Sequence, residues 1–282
     1  MLTRRRLGFV PRKRPPVLIA ASALILLIVL VFAIFGDQIA PQDPAAQNLM
    51  VGLQQPSFEH LLGTDTAGRD IFSRVIVGAQ RAVIGPLIIA TLCALIASVV
   101  GLTAGYRGGW VDSALMRGAD LLYAFPSLVV VIVLIGVIGG SHMAAVLVLV
   151  ILSWPGGARV VRGATLEQRT LPYVDAAKAL GLGTGRILFR HIWPVVLPFV
   201  VTNAFLDFAY SLVALSALSY LGLGVAPGSP DWGLMMSENL QLLQSNPTAV
   251  LAPGVALVLT AASMNLIGDF LYERLQDRGR AR

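Results

Sequence analysis

Cysteine is nearly absent. Cys93 is the only one in 282 residues, so no disulfide can form within the chain. It sits in an apolar run, where a thiol packs as a small hydrophobe. Histidine is scarce as well: His60, His142 and His191 are isolated, with no second ligand at helical spacing, and nothing supports a metal site. The two lysines, Lys13 and Lys178, follow Arg12 and Ala177. A Gly-Lys-Ser/Thr phosphate cradle therefore cannot be written anywhere in the chain. No cofactor is expected here, and energy for any work must come from another subunit or from a gradient. Charge is the largest deficit: 13% of residues are charged against 56% hydrophobic, with mean hydropathy +0.77. An ordinary soluble domain is excluded. The net charge of +6 does not point to nucleic acid, because no soluble basic domain is present. Basic residues beside apolar runs set membrane topology instead.

What remains is a series of charge-free stretches long enough to cross a bilayer as helix. Residues 1–16 form a basic tail with Arg4, Arg5, Arg6, Arg12, Lys13 and Arg14, followed by an apolar run from Val17 to Phe35. That run exceeds the roughly 7–15 residues of a signal-peptide core, so it is expected to stay as the first membrane helix. A polar segment fills the rest of 17–80. A second span is expected over Ala82–Gly105, then a polar link, YRGGWVDSALMRGAD. Between Asp120 and Arg159 there is room for two helices, turning at Gly139-Gly140-Ser141-His142. A fifth span covers Pro194–Leu221, a Gly/Pro-rich loop covers 222–248, and a sixth span covers Ala249–Gly268. The fold class expected is all-α, a polytopic membrane protein of six transmembrane helices. Of the 21 basic residues, only Arg69, Arg74 and Arg81 fall in the segments of one side. That bias puts both termini in the cytoplasm. Pro86, Pro126, Pro155, Pro198 and Pro253 suggest bent spans.

The polar interruption from Arg159 to Pro194 stands apart. It carries Arg159, Arg162, Arg169, Lys178, Arg186 and Arg190 and lies on the cytoplasmic side of this topology. Pro172 suits a helix start, and Asp175 suits its first turn. Gly181, Gly183 and Gly185 are expected to break the helix. Such an element is either a solvated connector or a piece that fits a groove on a partner. Asp207 is the charge placed deepest in a span, with Asn203 and Ser211 at i−4 and i+4 on the same face. A charged group at that depth is a functional candidate: a polar wall of a translocation pathway, or an interhelical hydrogen bond. In Gly63-Thr64-Asp65 and Gly68-Arg69-Asp70 the glycines allow tight turns and the charges allow local pairing. Ile71, Phe72, Val75 and Ile76 then form an apolar face that would rest on the outer membrane surface. Trp232, between Pro230 and Gly233, suits a turn at the headgroups.

Four stretches carry a resemblance. Asp175-Ala176-Ala177 with Gly181, followed by Arg190-His191-Ile192-Trp193-Pro194, resembles the EAA loop of ABC importer permeases. HLLGTDTAGRDIFSR (60–74), YRGGWVDSALMRGADLLYAFPSL (106–128) and ALSYLGLGVAPGSPDWG (217–233) resemble the dipeptide, oligopeptide and nickel permeases, specifically the second of their two membrane subunits. The likeness runs from the first helix to residue 272. Asp175 stands where glutamate is usual, Trp193 where leucine is usual, and Leu215 where relatives often have glutamate.

The resemblance implies a type I ABC importer membrane domain in a bacterial inner membrane. Its core would span 81–272, with a coupling loop at about 159–194 and a cytoplasmic tail at 273–282. It further implies a non-catalytic subunit importing peptides, pairing with a homologous permease. ATP and Mg would be bound by ATPase subunits, and substrate would arrive from an extracytoplasmic binding protein. Coupling would rest on Asp175, Ala176, Ala177, Leu180, Gly181, Leu182, Arg190, His191 and Pro194. Asn203, Asp207 and Ser211 are pathway candidates. Asp65, Arg69, Asp70 and Arg74 are candidates for an outer gate or binding-protein contact. Nickel or glutathione importers of the same family are the near alternatives, and a gradient-driven secondary transporter the distant one.

Overall fold

Helix accounts for nearly all of the regular structure in the computed structural model, which describes residues 16–280 apart from 51, 125 and 139. Most of the basic tail, Gly139 of the expected turn, and the last two residues lie outside the described residues. The first helix, α1 (Pro16–Ile39), is apolar on every side and buries only Ser22, Val29, Ala33 and Gly36. It lies against α2 and α10 at the margin of the bundle.

Helix α2 runs without a break from Ile71 to Arg107. Asp70 caps it, its carboxylate accepting from the Ser73 amide at 2.8 Å. The span therefore starts well before Ala82. Ile71 and Ile76 do not rest on a membrane surface; they are among the most buried side chains of the chain. The reason is that the preceding loop folds back over them, with the Ile71 amide bonded to the Gly63 carbonyl at 3.1 Å.

The expected polar link is helix: α3 covers Gly109–Tyr123 and α4 covers Ser127–Ile138. At about 1.5 Å per residue, the 12 residues of α4 fall short of a bilayer core of about 30 Å. Together with α3 they make a pair bent by 75°, the geometry of a broken span or of a re-entrant loop. Pro126 lies at the break, where its ring prevents the helix from continuing. Helices α1, α2, α5, α8 and α10 are each long and apolar enough to cross a membrane, which makes five spans among the described residues, or six where the bent pair counts as one.

Helix α5 (His142–Arg169) begins at Ser141, whose hydroxyl accepts from the Ala144 amide at 3.1 Å. It forms the most closely packed seam of the bundle, with α2. A Cβ at Gly101 would lie 2.6 Å from the Val161 Cβ, and one at Gly105 2.7 Å from the Thr165 Cβ. Only glycine permits this approach. Leu215 is buried within the α2–α4–α5–α8 cluster, so its position is an apolar packing site.

After α6 (Pro172–Ala179), α7 (Thr184–Ile187) and a π turn over Leu188–Ile192, α8 runs from Trp193 to Tyr220. It ends as the Leu-Gly-Leu-Gly sequence predicts. Gly222 takes φ +76°, and the Leu223 amide closes on the Leu218 carbonyl at 2.9 Å. The following loop is more structured than expected. It contains α9 (Trp232–Glu238) and a 3₁₀ turn at Leu240–Leu243 before α10 (Thr248–Arg280). Trp232 is not an interfacial residue. It is buried, and its indole N–H donates to the Val75 carbonyl at 2.9 Å.

Gly101→Leu is expected to lower the melting temperature in detergent through overpacking of about 1–3 kcal/mol. Gly118→Ala in α3, where a new Cβ meets nothing within 4 Å, is expected to leave the melting temperature unchanged or raise it, through a stabilisation of up to about 1 kcal/mol. Thermal unfolding of the two purified variants checks the contrast.

Candidate functional site

Three separate places hold the candidate residues. The first is the loop around α6. Pro172 opens this helix, and Asp175 lies in its first turn, paired with Lys178 at 2.9 Å on the exposed side. Gly181 takes φ +74°. The amide of Leu182 then reaches the Ala177 carbonyl at 3.1 Å and that of Gly181 the Lys178 carbonyl at 2.9 Å, a Schellman ending. The other two glycines do not break anything: Gly183 precedes α7 and Gly185 lies inside it.

Helix α6 buries Val174 and Ala177 in a cluster with Leu102, Val161, Ile187, Ile192, Val196 and Val200. Ala177 is therefore an anchor of the loop and is not available to a partner. Asp175 and Ala176 are exposed, and Leu180 is 81% exposed beside the helix ending. Arg190 is exposed, while His191 is half-buried, its ring 6.5 Å from that of Tyr173. Pro194 stands at the start of α8. Lacking an N–H and crowding the carbonyl four residues back, it favours the wide π turn before it, where the Trp193 amide reaches the Leu188 carbonyl.

Half of the basic residues of the Arg159–Pro194 stretch are not in the loop at all. Arg159, Arg162 and Arg169 belong to α5. Arg159 bonds Asp120 at 2.7 Å, and Arg162 makes a bidentate pair with Asp112. Arg169 donates to the carbonyls of Gly105 and Tyr106. These three tie α5 to α2 and α3. Asp120 and Asp112 were the readable signal, since each lies in a helix with few other charges.

The second place is a cleft of about 290 Å³ between α3, the start of α4, α5 and α8. Asp207 and Asn203 line it, with the Asn203 amide donating to the Asp207 carboxylate at 2.8 Å. Ser211 does not: it is buried elsewhere, and its hydroxyl has no partner. One helical turn beyond Asp207, the small rotation per four residues and the packing of Phe208 and Leu212 carry it out of the cleft. Tyr123, Ser153, Gly156 and Gly157 complete much of the wall, and Ser127 and Tyr210 share a hydrogen bond of 3.2 Å. Sequence reading missed all of these. The Gly156-Gly157 pair inside a charge-free span was the signal available.

The third place is a buried clasp. Asp65 accepts from the Arg69 side chain at 2.6 Å and from the Ala67 and Arg69 amides at 2.9 and 3.0 Å. Arg69 also reaches Glu238 at 3.0 Å. Arg74, fully buried, donates to the Gly228 carbonyl at 2.9 Å and the Ser229 carbonyl at 3.2 Å. Asp70 holds the His60 ring at 3.0 Å besides capping α2. All four acidic and basic residues singled out in the sequence are thus buried, which removes them from direct contact with a partner's surface. Their pairing is not only local. It joins the 60–74 segment to the loop before α9 through Gly228 and Ser229, and to the end of α9 through Glu238, none of which sequence reading singled out.

Comparison with known proteins places these features. A family described as binding-protein-dependent transport system inner membrane component matches residues 97–280. A dipeptide transport system permease protein of Alkalihalophilus pseudofirmus is 36% identical over 88% of this chain and 82% of its own length. A glutathione transport system permease protein of Pectobacterium atrosepticum is 34% identical over 92% and 86%. A probable D,D-dipeptide transport system permease protein of Escherichia coli K12 is 34% identical over 93% and 88%. Among solved structures, an inward-facing MetNI methionine ABC transporter chain superposes with TM-score 0.60 at 18% identity, over 72% of this chain and 96% of that one. That likeness shows the fold.

Arg74→Met is expected to destabilise the protein by about 3–5 kcal/mol, because it strands buried partners of the lost charge. Lys178→Ala, which breaks only an exposed pair, is expected to cost less than about 1 kcal/mol. Melting temperatures in detergent separate the two.

Proposed function

Because this chain belongs to the family of binding-protein-dependent transport system inner membrane components, we propose that it is one of two homologous permease subunits of an ATP-driven peptide importer in a bacterial inner membrane. The multi-pass helical fold and the permease relatives support this reading. It displaces the gradient-driven transporter as an alternative. Dipeptides are the first substrate, from the two dipeptide relatives. Glutathione is the second, from the relative named for it.

The observation that carries the mechanism is the exposed apolar end of α6. Leu180 stands 81% exposed at the end of a helix whose other face, Val174 and Ala177, is anchored in the bundle, and the positive-φ glycine beside it fixes its position, which supports a partner surface covering this end. ATPase subunits, which bind the ATP and Mg, cover this end in the cytoplasm. Both termini lie on that side, with tails at 1–16 and 273–282 and the permease core at 81–272. Docking movements pass from α6 through the π turn into α8, whose other end reaches the loop before α9. The cleft at Asp207 lies along the pathway, completed by the second permease. The clasp at Arg74 closes the opposite, extracytoplasmic end, where a binding protein delivers substrate.

Leu180→Glu and Gly181→Asp test the docking. The first alters an exposed side chain only and carries the test; the second meets no neighbour within 4 Å but also strains the positive-φ ending of α6. Both are expected to cut peptide-stimulated ATP hydrolysis and uptake in proteoliposomes at least tenfold, with the permease itself folded and inserted. Unchanged uptake in both variants would make α6 a mere connector.

A further inference from the structure

Asp207 sits at the middle of α8, in a helix that otherwise has no charged residue. Among the described residues it makes one side-chain hydrogen bond, from Asn203, and no ion pair. The cation beside the Tyr123 wall is already committed: Arg159 pairs with Asp120 at 2.7 Å and stacks on the Tyr123 ring at 4.6 Å. The cleft thus holds one carboxylate whose counter-charge is missing, at a depth where a charge is costly unless something answers it.

The geometry around it is that of an acceptor site. Asn203 must turn its NH₂ toward the carboxylate, because a carboxylate only accepts. Its carbonyl oxygen is left as an acceptor beside the second oxygen of Asp207. The hydroxyls of Tyr123, Tyr210 and Ser153 line the same wall. Tyr123 and Tyr210, both exposed, are out of place against lipid tails and in place against a polar pathway, and the Tyr123 ring already carries one cation, Arg159. The space is protected by glycine. A Cβ at Gly156 would stand 2.7 Å from the Tyr123 hydroxyl, and one at Gly157 2.9 Å from the Asn203 amide nitrogen. A cleft of about 290 Å³ lies at the lower bound of ligand sites, which begin near 300 Å³, as half of a site shared with a second subunit would.

We infer that this cleft is a transit site for a substrate's free α-ammonium group, with Asp207 as its counter-ion and Asn203 and the tyrosine hydroxyls as further acceptors. The inference rests on the peptide-importer reading, and it names the part of the substrate the membrane subunit itself recognises. Dipeptides and glutathione both carry that group.

The test uses the complete transporter in proteoliposomes, with its second permease, ATPase subunits and binding protein, and labelled alanyl-alanine and glutathione as probes. Asp207→Asn keeps the shape and the Asn203 contact and removes only the charge. It is expected to lower uptake of the transported probe at least tenfold. Asp207→Glu and the exchange Asn203→Asp with Asp207→Asn return a carboxylate to the cleft and are expected to recover at least a third of uptake. Uptake by Asp207→Asn within twofold of the unaltered transporter overturns the inference. So does failure of both carboxylate-bearing variants, or failure of Asp207→Asn to assemble, since each would make the residue structural. If the unaltered transporter takes up neither probe, the peptide reading itself falls, and the ligand assigned to the cleft falls with it.

Discussion

Hydrocarbon offers helices no gain from burying apolar side chains against one another, because lipid tails are as apolar as leucine. What holds such a bundle is close backbone approach and the satisfaction of polar groups. In this chain the first requirement is met along the seam of α2 and α5, where Gly101, Gly105 and Gly157 let the backbones nearly touch. The other elements are arranged on that seam. Helices α8 and α10 pack beside it, α1 lies outside it, and the bent pair α3–α4 crosses α5 from the other side.

The polar requirement is met at the two ends of the bundle. At one end Arg159, Arg162 and Arg169 tie α5 to Asp120, Asp112 and the carbonyls that end α2. At the other, Arg69 and Arg74 join the 60–74 segment to Glu238 and the loop before α9. Each tether links segments distant in sequence, so the middle of the bundle is the part left with few polar constraints. Asp207 and its cleft lie there.

Much of this was legible in the chain itself. Charge-free runs give the spans because a bilayer core demands length and apolarity together, and Gly181 and Gly222 mark helix ends because only glycine takes positive φ freely. The asymmetry of α6, with Val174 and Ala177 inward and Leu180 outward, was partly visible in its short small-residue pattern. What sequence could not supply is long-range pairing. Arg74 is charged and follows an Asp-rich turn, so it reads as surface, yet two of its partners are the Gly228 and Ser229 carbonyls, 154 and 155 residues away. Trp232 reads as interfacial for the same reason, until the Val75 carbonyl is seen beneath it. Asp207 and Asn203 were visible, but the rest of the cleft escaped notice because α3, α4 and α5 contribute neutral residues that carry no signal alone.

The π turn at Leu188–Ile192 has a geometric consequence. Along α8 the buried positions Ile192, Val196 and Val200 recur every four residues, but Ile187 precedes Ile192 by five. The extra residue keeps both isoleucines on one face. In an ordinary α-helix each residue advances the face by about 100°. The azimuth at which α6 meets whatever lies beneath it is therefore set by a single residue of chain length. Relatives that gained or lost one residue here would present the loop in another direction, so partner choice can diverge by indel while every membrane span stays as it is.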